Sequence, residues 1–237
     1  MSQSVAESVR VIGAGNSGSG KSYRAWHMYL SRMPRVILLD QTGEWIDRSD
    51  AEAQTVGEAV DAIRTLSKRS HKWTVCVQLD PGELGTLVQW MIPVPDVRKS
   101  PIRMVGGAVV LVDEVDLVAP AASAKEEVRT LYRRSRHVGL SVVSLTQRPA
   151  NVSREVTAQS VQAFALHLSE PRDRDYMADL MRWNPQQVRQ YYQWTRQHQQ
   201  GLVWKDLRSG RTLFYPNQGQ ARSFPSAEQS DAFASVE

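Results

Sequence analysis

Gly15-Asn16-Ser17-Gly18-Ser19-Gly20-Lys21-Ser22 fits the pattern G-x-x-x-x-G-K-[ST] in full, directly after the short apolar run at 9–12. Glycines let such a loop curl so that successive backbone N–H groups point inward around phosphate oxygens. The helix expected to start near Lys21 adds the positive end of its dipole. Residues 15–22 are therefore read as the binding loop for a nucleoside triphosphate. Lys21 would reach the β- and γ-phosphates, and the Ser22 hydroxyl would ligate Mg²⁺.

Outward from this loop the chain reads as strand, loop and helix, repeated. Strands are expected at 9–12, 35–40, 73–79, 108–113, 140–145 and 163–168. Helices are expected at 21–32, 51–68, from Pro81 through Met91, and over 123–137. The helix at 51–68 places Val56, Val60, Ile63 and Leu66 on one face. The run Ala108-Val109-Val110-Leu111-Val112-Asp113 is apolar at nearly every position, as a strand covered on both faces of a parallel sheet should be. Asn184-Pro185 supplies an N-cap and a first-turn proline for a helix to about His198. Residues 202–207 and 211–215 read as a hairpin around Ser209-Gly210. The fold class expected is α/β, a P-loop NTPase with a mostly parallel central sheet flanked by helices, plus a small C-terminal helix and β-hairpin. Residues 8–216 form the expected motor domain, between a flexible N-terminus at 1–7 and a polar, flexible tail at 217–237.

Bulk properties agree with one large domain. The 237 residues are 41% hydrophobic, enough for a sizeable core. The net charge is only +4, which permits an anionic partner without demanding one. A single cysteine, Cys76, excludes an internal disulfide framework and suits a reducing compartment. His27, His71, His137, His167 and His198 are scattered, so no zinc-type spacing exists. The start of the chain does not read as a signal peptide, and the longest apolar run, 104–112, is about half of a bilayer span. A soluble intracellular protein without a transmembrane segment is expected.

A phosphate loop needs a carboxylate for the water shell of Mg²⁺. Asp113 ends the apolar strand, where the carboxyl ends of parallel strands place ligands. Glu114 follows it and could polarise an attacking water, which turns nucleotide binding into hydrolysis. The spacing between loop and carboxylates implies an extra strand between the first strand and the Asp113 strand. At the tip of the strand at 140–145, Gln147 could touch the γ-phosphate or its water. An ordinary turn before Pro149 is the other reading of Gln147.

GNSGSGKS (15–22), VILLDQTGEW (36–45), VVLVDEVD (109–116) and RRSRHVGLSVVSLTQRP (133–149) together resemble the HerA–FtsK superfamily of DNA-pumping ATPases. Asp40, Gly43 and Glu44 look like that family's acidic turn, and R-x-x-G-[IL] leading to T-Q-R-P is the most specific match. Within the superfamily, the chain is most similar to the genome-packaging ATPases of tailless, membrane-containing phages. The resemblance implies an ASCE-type ATPase that uses ATP and Mg²⁺ in a ring of identical subunits, expected to be a hexamer. Lys21 and Ser22 would bind nucleotide and metal, Asp113 would hold Mg²⁺, Glu114 would activate water and Gln147 would sense the γ-phosphate. An arginine finger from a neighbouring subunit is expected at Arg136, with Arg133 and Arg148 as alternates; a solvated or DNA-facing basic helix is the other reading of Arg133, Arg134 and Arg136. The cargo would be double-stranded DNA gripped through its phosphates, with Arg98, Lys99 and Arg103 as a candidate pore loop; a solvated surface loop is the other reading of that segment. The implied setting is a host cytoplasm or the packaging vertex of a virion, with capsid or membrane vertex proteins as partners. The other functions weighed are a HerA-like DNA-processing or conjugation motor, a filamentous-phage assembly ATPase, and a nucleotide-dependent scaffold.

Overall fold

Apolar runs rich in Val, Ile and Leu become strands buried on both faces, and the polar segments between them become helices and turns. A computed structural model describes residues 8–93, 96–198, 201–215 and 222–223. In chain order, β1 (Arg10–Ala14) leads through the phosphate loop into α1 (Lys21–Ala25), which widens into a π-helical turn, Trp26–Leu30. β2 (Arg35–Leu39), β3 (Ala51–Ala53), α2 (Val56–Arg69), β4 (Trp73–Val77) and α3 (Pro81–Met91) follow. Next come α4 (Ile102–Val105), β5 (Val109–Val112), α5 (Val115–Val118), α6 (Glu126–Arg134), β6 (Ser141–Thr146), α7 (Arg154–Gln159) and β7 (Gln162–Ala165). The chain continues through α8 (Pro171–Leu180), α9 (Pro185–Gln197), β8 (Leu202–Asp206), β9 (Thr212–Tyr215) and β10 (Arg222–Ser223).

The ten strands of the described residues form one sheet in the order β10-β9-β8-β7-β1-β6-β5-β2-β4-β3. From β3 to β7 every neighbouring pair is parallel, and β8, β9 and β10 extend that edge antiparallel. β6 lies between β1 and β5 and pairs with both, which is the inserted strand expected from the sequence. This is the architecture of a P-loop NTPase of the ASCE type.

Strand alternation divides the core in two. Ile12, Ile37, Leu39, Val75, Val110 and Val142 face one side, where residues of α2, α3, α6, α8 and α9 cover them. Val11, Val36, Leu38, Leu111 and Val143 face the other, packed with Ala25, Leu30 and Trp45. The tryptophans are buried or partly buried.

Several boundaries differ from the expectations. The helix expected over 51–68 starts at Val56, because Thr55 and Glu58 form a capping box, and residues 51–53 pair with β4 instead. The expected loop at 93–103 contains a 3-10 turn, Val97–Lys99, and α4. The basic helix expected over 123–137 is α6 followed by a 3-10 turn, Ser135–Val138. Helices α5, α7 and α8 were not expected. The expected flexible N-terminus at 1–7 lies outside the described residues. So does the tail at 217–237, except for Arg222–Ser223, which pair with β9.

Candidate functional site

The phosphate loop leaves the carboxyl end of β1 between the ends of β6 and β7. Gly15 N–H donates to the Thr146 carbonyl (3.2 Å) and Asn16 N–H to the His167 carbonyl (2.9 Å), which pins the loop to both neighbours. The Asn16 side chain accepts from Ser169 N–H at 3.3 Å. Ser17 and Gly18 are exposed, and Gly18 and Gly20 hold positive φ angles of 71° and 90°, where a Cβ would be strained. A Cβ on Gly15 would sit 2.6 Å from Ser19 Oγ and 3.0 Å from Leu166 Cβ, so a larger residue there would displace the Ser19 side chain. Ser19 Oγ is buried with no hydrogen-bond partner, an orphan polar atom inside a loop shaped for oxygen-rich ligands.

Lys21 and Ser22 open α1, and Lys21 is buried at 7% exposure. Its ammonium lies 3.6 Å from Glu114 Oε1. Gln147 Nε2 donates to the same carboxylate oxygen at 2.7 Å. Glu114 reaches this position because its backbone turns sharply off β5, with φ 45° and ψ 55°, in the left-handed region. β6 places Gln147 beside it, since β6 is the strand paired with β5. Thus Lys21, Glu114 and Gln147, which are far apart in sequence, meet at one oxygen.

Asp113 is 1% exposed and lies beneath them. Its Oδ1 accepts from Glu114 N–H (3.0 Å) and its Oδ2 from the Trp45 indole N–H (2.6 Å). Burial pushes the Asp113 pKa above the usual carboxylate range, while the Trp45 bond and the Lys21 charge act in the opposite sense. Nearby, Thr146 Oγ1 donates to Asp116 Oδ1 at 2.6 Å, and burial raises the Asp116 carboxyl as well. Its partner Thr146 is thirty residues away, which a local reading does not connect.

The residues fit a nucleotide-borne Mg²⁺ better than a free metal site. Among the described residues no three His, Cys, Asp or Glu side chains form a metal cluster. Mg²⁺ held by one or two protein groups and by substrate phosphates needs no such cluster. Ser22 and Asp113 would be those protein groups.

The arginines divide by position. Arg136 is exposed in the turn before β6, at the opposite ends of the strands from the phosphate loop. β6 alone spans roughly 20 Å, so Arg136 cannot reach its own chain's loop. It makes no ion pair among the described residues. Burial, then the charges of Arg136 and Arg208, hold the Arg10 guanidinium below its usual pKa, which puts these cations near one another. Arg133 is paired with Glu155 (2.8 Å) and Glu126 (3.2 Å). Arg148 is held by Asp173 at 3.4 Å, and its guanidinium is 3.9 Å from Glu170. In the candidate pore loop, Arg98 is paired with Asp96 at 2.9 Å, Lys99 is exposed and Arg103 lies in α4.

No protein-family model matches this sequence, and no curated protein matches it significantly. Solved structures do. A genome-packaging NTPase, B204 of Sulfolobus turreted icosahedral virus 2, solved with sulfate, superposes with a TM-score of 0.69 at 17% identity, covering 91% of this chain and 99% of that one. The same NTPase solved with AMPPCP gives a TM-score of 0.66 at 18% identity, over 89% of this chain and 98% of that one. VirB4 of Thermoanaerobacter pseudethanolicus gives 0.53 at 10% identity, over 97% and 93%. This chain therefore has the fold of the viral genome-packaging NTPases.

Proposed function

We propose that this chain hydrolyses ATP with Mg²⁺ and, as a ring of identical subunits, drives double-stranded DNA into a preformed viral capsid. The observation that carries the reading is the convergence of Lys21 and Gln147 on Glu114, with Asp113 directly beneath. Such a constellation has a cation for the phosphates, a carboxylate for the metal and a carboxylate for water, each on a different strand or helix end. Nucleotide binding would draw Lys21 from Glu114 to the β- and γ-phosphates. That exchange frees Glu114 to accept a proton from water, with Gln147 fixing its orientation. Bound Mg²⁺ supplies charge neutralisation at the phosphates, through Ser22 and Asp113. Arg136, which cannot reach its own chain's loop, would act on the nucleotide of an adjacent subunit. The likeness to B204 supports the packaging setting, at a vertex of the capsid or in the host cytoplasm.

ATPase activity measured with and without duplex DNA tests this directly. Strong stimulation by duplex of unrelated sequences is the expected result. Hydrolysis indifferent to DNA in an assembled ring favours the scaffold instead, and no hydrolysis from that ring sinks the motor.

A further inference from the structure

The turn after β2 reaches both residues that would hold the metal. Asp40 is fully buried, and its Oδ1 accepts from Thr42 N–H (3.0 Å), Thr42 Oγ1 (3.1 Å) and Gly43 N–H (2.9 Å). Its Oδ2 accepts from Trp45 N–H at 2.8 Å. A carboxylate with that many donors fixes the path of residues 40–45 closely, and Gly43 supplies the positive φ of 79° that the path needs. Two consecutive side chains then leave the turn toward the site. Glu44 Oε2 accepts from Ser22 Oγ at 3.3 Å, and Trp45 Nε1 donates to Asp113 Oδ2 at 2.6 Å. The Trp45 ring is 1% exposed, with Trp26 at 6.2 Å and the Arg48 guanidinium 5.5 Å from its centroid.

We propose that the turn Asp40–Trp45 is a clamp on the metal-binding end of the site. Trp45 is a positioning residue that holds Asp113 in one orientation, and Glu44 accepts the Ser22 hydroxyl hydrogen bond so that a lone pair on that oxygen faces the metal. The chemistry of each bond requires this division of labour. A serine hydroxyl that ligates a cation through its oxygen must donate its hydrogen elsewhere, and Glu44 is the acceptor in reach. A carboxylate restrained on one oxygen by Glu114 N–H alone could still pivot, and the indole N–H on the other oxygen removes that freedom. The proposal rests on reading Ser22 and Asp113 as the Mg²⁺ ligands.

Trp45→Phe removes the N–H while keeping an aromatic ring for Trp26 and Arg48 to pack on. A non-hydrolysable ATP analogue is titrated into wild type and variant, once with Mg²⁺ and once with EDTA, and Tm is read without ligand. The clamp predicts that the tightening Mg²⁺ gives to wild type shrinks by about 10-fold to 100-fold in Trp45→Phe, while metal-free binding and Tm stay near wild type. A wild-type Mg²⁺ effect in Trp45→Phe overturns the clamp. Absence of any Mg²⁺ effect in wild type overturns the ligand reading instead, so the two failures are distinct. Should Trp45→Phe not fold, Glu44→Ala decides in the same way, since Glu44 is exposed.

Discussion

The two ends of the parallel strands are built on different plans. At the carboxyl ends, Lys21, Asp113, Glu114, Gln147 and the Asp40 turn are each held by partners in their own chain, at distances of 2.6–3.6 Å. At the amino ends, Arg10 opens β1 and is buried, and Arg136 stands exposed before β6. The turn carrying Arg98 and Lys99 belongs to this side too, since it lies between α3 and the start of β5. The first end closes its polar groups on one another, and the second carries the exposed cations Arg136, Arg98 and Lys99. Cations held at such a surface are suited to an anion on another molecule. On that reading each protomer supplies half of two sites.

The comparison breaks first at Glu114. Glu114→Gln keeps the acceptor for Gln147 but removes the base. Hydrolysis is expected to fall about 10²–10⁴-fold with nucleotide binding retained, as measured by single-turnover assays and by titration with a labelled nucleotide. Turnover at the wild-type rate would mean that the carboxyl-end pocket has been assigned the wrong base.

The amino end is tested by Arg136→Ala. A loss on the order of 10³-fold in kcat is expected if this arginine stabilises transition-state charge in a neighbour. Mixing Arg136→Ala with Lys21→Ala subunits should then restore part of the activity, because some interfaces would pair an intact loop with an intact finger. Complete failure of the mixture to recover, in rings that still assemble, would remove the trans role and leave Arg136 as an ordinary surface cation.

The contrast between the two ends also explains what the sequence made legible. The loop at 15–22 stands out because its pattern lies in consecutive residues, and Asp113-Glu114 because a fully apolar strand points to them. The inserted β6 followed from the spacing of these two signals. Trp45 was not readable, since its bond to Asp113 spans 68 residues and an indole in a turn looks like core. β3 was hidden because a three-residue strand has no period of its own, and its residues ran on into an amphipathic helix. Helix α8 was missed because its inward residues are few. One of them is Asp173, buried while accepting from Ala150 N–H at 3.0 Å, which no hydrophobic pattern reveals. The arginines could be named from the resemblance, but only the fold separates one facing away from the loop from two that are paired.

Gln147→Ala probes the carboxyl end more gently. It removes one hydrogen bond to an ionised acceptor, a contribution of about 1.5–3 kcal/mol where the pair is shielded from water. A fall in kcat of roughly 10-fold to 100-fold is expected, with little change in nucleotide affinity. If affinity falls and kcat does not, Gln147 acts in binding and the pocket works without a separate reporter on the γ-phosphate.

Arg133→Ala carries the smallest expected effect and bears most directly on the choice of finger. Its guanidinium already gives one bond to Glu155 Oε2 and one to Glu126 Oε1 within its own chain, and it is partly exposed. Exposed pairs of this kind add little to stability because water screens them and holding two long side chains together costs entropy. A finger must instead present its donors to another subunit, which would require Arg133 to leave two carboxylates. Arg133→Ala is therefore expected to leave kcat and Tm close to wild type. A drop in kcat comparable to that of Arg136→Ala, rescued by mixing with Lys21→Ala, would transfer the finger to Arg133 and show that its ion pairs open on assembly.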